Sequence, residues 1–420
     1  MRFATLPDWL GWLEQQHPKS IDLGLDRILE VAHRLGISGF NATVMTVAGT
    51  NGKGSFVAAM DALLRSHGKR VATYTSPHLL VFNERIKLDG AMVSDEQLLL
   101  ALDQVDKACQ GVSLTYFEFT TLAALVLFGQ QAFDVIVLEV GLGGRLDAVN
   151  IIKPDIAVIT SIGLDHQEYL GNNLEMIAAE KCGILRNDTV LFCAESNPPK
   201  PLSQAIASHH SWLIGRDFSV TETAGEWSVT APVWFHEPLV FPVNGLSVPS
   251  QAAAIGCLFH LLGEKVDQKH IHSALDGLSL AGRFQRFEVD GVSIILDVAH
   301  NVQAVSLLKT RLQKLPLHED GKRLAVFNML SDKDFRSVIA NMKDVVDGWF
   351  LGELDHPRAL KVQVVADVLS ESGEHKISCS RNIRQAFARA MSVCRPGDQL
   401  VVFGSFYVVS ELLPRLSQYE

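Results

Sequence analysis

The run Gly49-Thr50-Asn51-Gly52-Lys53-Gly54-Ser55 combines three glycines with hydroxyls, an amide and a lysine. Glycines let backbone N–H groups turn inward around a phosphate, and a helix starting there adds the positive end of its dipole. Lys53 is long enough to reach the β- and γ-phosphates of a nucleotide, and a hydroxyl just after it can touch Mg²⁺. The spacing is not the standard one: the run is shorter, and Ser55 follows Lys53 by two positions. Three further residues have the chemistry to join this loop. Ser76 follows one apolar run, Glu139 ends another, and His166 closes Ser161–His166. Oxygen ligands suit Mg²⁺, and a carboxylate at a strand end is where phosphate-loop enzymes hold it. The run Val140–Ala148 is glycine-rich too. Its spacing fails the dinucleotide fingerprint, and directly after Glu139 it is expected to form a flexible wall.

These residues need a scaffold that brings strand ends together. Thr43–Ala48, Arg70–Tyr74, Asp134–Glu139 and Ile156–Thr160 read as short buried strands. Helices are expected at Lys53–His67, from the capping pattern Ser94/Gln97 to Cys109, and at Glu118–Gln130. Continuous β-branched strands alternating with helices mean an α/β fold whose parallel sheet is covered on both faces. The carboxyl ends of such strands share one crevice, where ligands bind. Between Thr189 and Pro242 the texture becomes β-rich, and helices near Gln251–Leu262 and Gln268–Leu275 close this part. The segment Leu278–Arg286 is the expected boundary. Beyond it the rhythm restarts, with strands at Val292–Asp297, Leu324–Phe327, Gly348–Leu351 and Leu400–Phe403 and helices near Val302–Leu315, Asn382–Arg395 and Tyr407–Leu416. Two α/β domains, residues 1–281 and 282–420, favour a site in the cleft between them.

Composition narrows the classes. The chain has 420 residues, 47% hydrophobic and 20% charged, an ordinary globular balance for two or three domains. With 37 basic and 47 acidic residues its net charge is −10, and no basic stripe points to nucleic acid. No apolar run approaches the length of a membrane span, and the N-terminal residues lack the pattern of a signal peptide. The six cysteines form no Cys-x-x-Cys pair and are expected to be reduced and mostly buried, in a cytoplasmic protein.

Taken in order, GTNGKGS at Gly49–Ser55, SPHL at Ser76–Leu79, LEVGLGGRLDA at Leu138–Ala148, TSIGLDH at Thr160–His166 and EKCGI at Glu180–Ile184 belong together. GRFQ at Gly282–Gln285, DVAHN at Asp297–Asn301, DKD at Asp332–Asp334 and GSF at Gly404–Phe406 continue the series. Over nearly its whole length the chain resembles the bacterial bifunctional dihydrofolate synthase/folylpolyglutamate synthase family, within the Mur-ligase superfamily. The resemblance implies a P-loop ATPase-like N-terminal domain with a small β-rich extension and a smaller, Rossmann-like C-terminal domain. It implies a monomeric ATP-dependent ligase that adds L-glutamate to dihydropteroate and to reduced folates through an acyl phosphate.

The same resemblance implies roles. ATP would lie on Thr50, Asn51, Gly52, Lys53, Gly54 and Ser55, with Gln251, Arg283 and Asp297 completing its site. Ser76, Glu139 and His166 would hold two Mg²⁺ ions. Lys53, His166, Arg283 and Lys181 would be catalytic, Lys181 as a carbamate that assists one metal; by its position alone Lys181 would be a solvated helix charge. Ile21, Asp22, Leu23, Thr115, Tyr116, Phe117, Glu118, Leu146, Asp147 and Ala148 would line the pterin pocket, whose flat ring suits an aromatic wall and a carboxylate. His300 and Ser405 would hold the incoming glutamate. The sequence departs from the family at Gln251, where asparagine is common, and at Val298 and Val302, where glycine and proline are usual. A β-branched residue resists φ > 0, so the turn beside His300 is where a departure would show. Alternatives remain: a monofunctional folylpolyglutamate synthase, or a nucleotide-dependent switch in which the C-terminal runs are idle. A peptidoglycan ligase would carry an extra domain before the phosphate loop, and the 48 residues ahead of Gly49 are too few for one.

Overall fold

The structure, a computed structural model, describes residues 1–19, 21–223 and 225–419. Strands β1 (Thr43–Ala48), β2 (Val71–Tyr74), β3 (Ile86–Leu88), β4 (Ala91–Met92), β5 (Val135–Glu139), β6 (Ile156–Ile159), β7 (Val190–Cys193) and β8 (Ser211–Leu213) form one sheet in the order β4-β3-β2-β5-β1-β6-β7-β8. Pairing is parallel from β2 to β8. Every residue of β2, β5 and β6 is buried, so these strands show no polar face. Within β1, Val44 and Ala48 pack on one side of the sheet and Met45 and Val47 on the other.

A second α/β unit begins within Leu278–Arg286. Its strands are β12 (Gln285–Val289), β13 (Val292–Leu296), β14 (Arg323–Phe327), β15 (Gly348–Gly352), β16 (Ile377–Ser380) and β17 (Gln399–Phe403), in the order β12-β13-β17-β14-β15-β16. It too carries helices on both faces, with Ile295 and Phe327 packing to one side and Leu296 and Val326 to the other.

The parallel sheets stand as expected, with antiparallel edges: β3–β4 at one edge of the first and β12 at one edge of the second. Each hairpin turns on an Asp-Gly pair with positive φ, Asp89-Gly90 (50° and 83°) and Asp290-Gly291 (51° and 75°). That is the turn geometry which matches strand twist, and both signals stand in the sequence. Two expectations need correction. The β-rich extension is smaller than expected. β7, the helix Lys200–Ser208 and β8 continue the main sheet, and only β9 (Ser219–Glu222), β10 (Glu226–Thr230) and β11 (Leu239–Pro242) make a separate antiparallel sheet. Finally, all six cysteines are free, but only Cys193 and Cys257 are buried and Cys379 is exposed. Among the described residues no helix is long and apolar enough to cross a membrane.

Candidate active site

β1 delivers the chain into the phosphate loop. A Cβ on Gly49 would lie 1.8 Å from Thr160 Oγ1, and one on Gly52 (φ 87°) 2.5 Å from Ser250 Oγ, so both positions require glycine. The helix Lys53–Ser66 has no side-chain cap, which leaves its first N–H groups to meet an anion. The exit of β6 braces the loop. Thr50 Oγ1 donates to the Gly163 carbonyl at 3.1 Å and accepts the Gly163 N–H at 2.9 Å. The Asn51 N–H donates to Ser161 Oγ at 2.9 Å, and Thr160 Oγ1 donates to the Asn51 carbonyl at 2.7 Å. Lys53 Nζ folds back onto the carbonyls of Gly49 (2.9 Å) and Thr50 (3.4 Å). Loss of water lowers its pKa, while Glu139 and Asp165 oppose that shift. Ser55 is buried, and its Oγ accepts the Ser247 N–H at 3.2 Å.

Glu139 is buried at the end of β5, and desolvation raises its pKa to about 7 against the pull of Lys53, Arg283 and a hydrogen bond from the Ser76 N–H. His166 sits at φ 50° after β6; burial lowers its pKa to about 4, so the imidazole is neutral. Among the described residues no three His, Cys, Asp or Glu side chains form a metal cage. A nucleotide-bound Mg²⁺ does not need one, because phosphate oxygens and water fill most of its octahedron. A buried carboxylate lifted to about 7, a neighbouring hydroxyl and a neutral imidazole fit such an ion chemically.

The C-terminal unit contributes from its own strand ends. Arg283 lies with its guanidinium 5.1 Å from the Phe406 ring centroid. Burial lowers its pKa, and Asp297 and Glu139 oppose the shift, which puts it in electrostatic reach of the first sheet. Asp297 accepts the N–H groups of Phe284 (2.9 Å) and Ala299 (2.8 Å), fastening the Arg283 segment to the loop after β13. His300 Nδ1 donates to the Val298 carbonyl at 2.8 Å. Neither Val298 nor Val302 has positive φ: Asn301 caps the helix Val302–Lys314, and the departures at these two positions leave the turn unstrained. Ser405 is buried and caps the helix Phe406–Leu416 through the Val408 N–H at 3.2 Å. Lys181, which its position alone would make a solvated charge, is instead 4% exposed. Desolvation, then the charge of Lys53, lowers its pKa to about 7.

The expected pterin residues are brought near one another, but much of their polarity is spent internally. Asp22 Oδ2 accepts Arg27 Nη1 at 2.7 Å, and Arg27 Nη2 also reaches Glu118 Oε1 at 3.1 Å. Thr115 and Glu118 are buried and cap the helix Tyr116–Gly129, which begins two residues earlier than expected. Tyr116 and Phe117 are half-buried, with the Phe117 ring 5.9 Å from Tyr74. Asp147 is buried and accepts the N–H groups of Leu142 (2.8 Å) and Val149 (3.0 Å); burial raises its pKa to about 6. Leu146, Ile21 and Leu23 are half-buried and Ala148 is buried. The glycine run, expected to form a wall, is closely packed at its centre. Gly144 packs against the helix Leu174–Cys182, and the Arg145 N–H bonds the Glu180 carbonyl at 2.8 Å. Gln251, expected at the nucleotide, is 0% exposed, and both ends of its amide pair with Asn244, at 2.7 and 3.1 Å.

Sequence reasoning missed Asp165, Lys333 and Asn301 as site residues. Lys333 Nζ lies 2.6 Å from Asp165 Oδ1 and 3.3 Å from His166 Nε2. Asn301 exchanges amide bonds with Asn51 at 3.0 and 3.2 Å. Burial pushes the Asp165 carboxyl up, yet His300, Lys333 and His166 outweigh it and hold it well below the usual carboxylate range. The available signal was position: all three lie in loops at the carboxyl ends of strands.

Comparison with known proteins agrees with this architecture. Residues 47–211 match the Mur ligase middle domain and residues 282–406 the Mur ligase, glutamate ligase domain. The dihydrofolate synthase/folylpolyglutamate synthase of Escherichia coli (strain K12) is 37% identical, over 98% of this chain and 95% of its own. The E. coli enzyme solved in complex with DHPP and ADP superposes with a TM-score of 0.91 at 35% identity, covering 99% of this chain and 98% of its own. A bifunctional folylpolyglutamate synthase/dihydrofolate synthase solved with Mn, AMPPNP and L-glutamate bound gives a TM-score of 0.88 at 35% identity, with coverage of 99% and 98%. With two Mur ligase domains in order and a relative of this identity matched along almost its full length, the chain belongs to the dihydrofolate synthase/folylpolyglutamate synthase family of Mur ligases.

Proposed function

We propose that this chain is an ATP-dependent ligase that joins the amino group of L-glutamate to the carboxylate of dihydropteroate and of reduced folates. The observation that carries the reading is the convergence of Lys53, Glu139 and Arg283 from two sheets on one crevice, in a chain of this family. The acceptor carboxylate attacks the γ-phosphate, and an acyl phosphate forms. Both partners are anionic, so Lys53 and Arg283 neutralise charge and align them, and the N-terminus of the helix Lys53–Ser66 holds the phosphate chain. The glutamate amine then attacks the activated carbonyl and phosphate leaves. A divalent ion bound by Ser76, Glu139 and His166, two Mg²⁺ in the full assembly, would supply further charge neutralisation at the transferring phosphate.

Carbamylated Lys181, supported by its burial and lowered pKa, turns a buried cation into an anion suited to that ion. Asp297 fastens the Arg283 loop at the nucleotide. His300 and Ser405 would hold the incoming glutamate. The segments 21–23, 115–118 and 146–148 form the acceptor pocket, with Tyr116 and Phe117 as its aromatic wall. The boundary at 281/282 separates the nucleotide-binding part from the glutamate-ligase part. Six free cysteines favour a reducing compartment, the cytoplasm, and one chain carries every residue named, as a monomer requires. The test is glutamate-dependent ADP release, run separately with dihydropteroate and with a reduced folate. Turnover with both is expected; turnover with the folate alone would establish the monofunctional enzyme. ADP release that needs neither glutamate nor a pterin would establish the switch.

A further inference from the structure

Asp165 has no part in the chemistry above, yet it is the most heavily engaged carboxylate in the crevice. Its Oδ1 accepts the Lys333 ammonium at 2.6 Å and the His166 N–H at 2.8 Å. Its Oδ2 accepts Asn301 Nδ2 at 3.1 Å and faces His300 Nε2 at 3.6 Å. Asp165 belongs to the loop after β6; His300 and Asn301 follow β13, and Lys333 follows β14. One carboxylate of the first unit therefore gathers three side chains of the second. The side chains of Lys333 and Asp165 are only 8% and 10% exposed, so the pair is largely out of water. Ions this desolvated are tolerated only when matched, and separating the units would leave both to be rehydrated or stranded. Asn301 extends the contact to Asn51 in the phosphate loop, so the junction touches the element that holds the nucleotide.

We propose that Asp165 is a positioning residue: with Lys333 as its counter-ion it latches the C-terminal α/β unit onto the nucleotide crevice, and the latch keeps water from the activated acceptor. The second half rests on the ligase reading; the first does not. Water reaching an acyl phosphate returns the free carboxylate and phosphate, so a loosened latch shows as ADP formed without amide. The test uses the full chain and Asp165→Asn, Lys333→Met, the double variant and Lys333→Arg. Small-angle scattering with AMPPNP and Mg²⁺ reads the separation of the units. The ratio of ADP to glutamylated product reads the seal, and KM for glutamate is followed beside kcat. Both single neutral variants are expected to enlarge the radius of gyration and to raise KM for glutamate roughly tenfold or more. They are also expected to raise the ADP-to-product ratio. The double variant is expected to be no worse than the poorer single one, and Lys333→Arg to restore coupling toward that of the parent. Unchanged scattering in both single variants would overturn the latch. Enlarged scattering with one ADP still spent per amide would overturn the seal. A parent without glutamate-dependent turnover would fault the ligase reading while the scattering arm still tests the latch.

Discussion

Lys181 lies on the last turn of the helix Leu174–Cys182, buried, with a pKa brought down to about 7 by loss of water and by the charge of Lys53. Near neutrality a large share of its amines is uncharged, and a neutral amine attacks CO₂ where an ammonium cannot. Protein equilibrated with ¹³C-bicarbonate is therefore expected to show a carbamate carbon resonance that Lys181→Ala abolishes. An active, saturated enzyme without that resonance would remove the carbamate from the mechanism. The free amine carries a second consequence, in CO₂-free buffer. Its folded pKa, about 7, lies below the ordinary 10.5, so between these values the unfolded chain binds more protons than the folded one. The contribution of this residue to stability then rises with pH from about 7 to about 10.5, and Lys181→Met should flatten that rise in denaturant melts. The letters around Lys181 describe a helix end. Its burial, and the packing of Gly144 against its backbone, are supplied only by the tertiary arrangement.

At the scale of elements, that packing depends on one missing methyl group. A Cβ on Gly144 would stand 2.7 Å from the Glu180 carbonyl oxygen and 3.0 Å from Lys181 Cα, both backbone atoms that cannot rotate aside. Gly144→Ala must therefore push the helix Leu174–Cys182 away and carry Lys181 with it. The expected result is a stability loss of about 1–3 kcal/mol together with a several-fold drop in kcat and a weakened carbamate resonance. Gly129→Ala, where a Cβ meets nothing within 4 Å, is the control and should leave both within error. A Gly144→Ala variant as active and as stable as the parent would show that the loop, not the helix, gives way. Strands such as β1 and β5 were legible because an unbroken buried run between turns admits few other readings. The edge hairpins are equally legible from Asp89-Gly90 and Asp290-Gly291, whose positive φ angles the paired letters announce. The role of Gly144 was not, because a glycine admitting close approach and a glycine admitting flexibility are written with the same letter.

At the scale of the whole molecule the two sheets act through a junction whose members are far apart in sequence; Asn51 and Asn301 are separated by 250 positions. Nothing local marks such partners, which is why the strand ends could be read and their cross-connections could not. Arg311 shows what the junction is worth. It is 6% exposed on the helix Val302–Lys314, donates to the carbonyls of Gly245 (2.5 Å) and Leu246 (2.6 Å), and covers the Phe284 ring at 5.6 Å. Those carbonyls precede the helix Val248–Leu262, whose first turn packs on Gly52, and Glu222 of β9 lies 3.9 Å from Arg311 Nε. One guanidinium thus ties the C-terminal unit to the β-rich extension and to the neighbours of the phosphate loop. Arg311→Met keeps much of the stem but removes both donors, leaving two buried carbonyls unsatisfied at about 1–3 kcal/mol each. Because that cost falls on the contact between units and not on either core, cooperativity should suffer more than either unit's own stability. Calorimetry of the full chain is expected to show the unfolding endotherm broaden or divide in Arg311→Met, with the lower-melting part regaining temperature when AMPPNP and Mg²⁺ bridge the crevice. A single endotherm lowered without broadening would mean that the two units melt as one body by other contacts, and that Arg311 stabilises without coupling them.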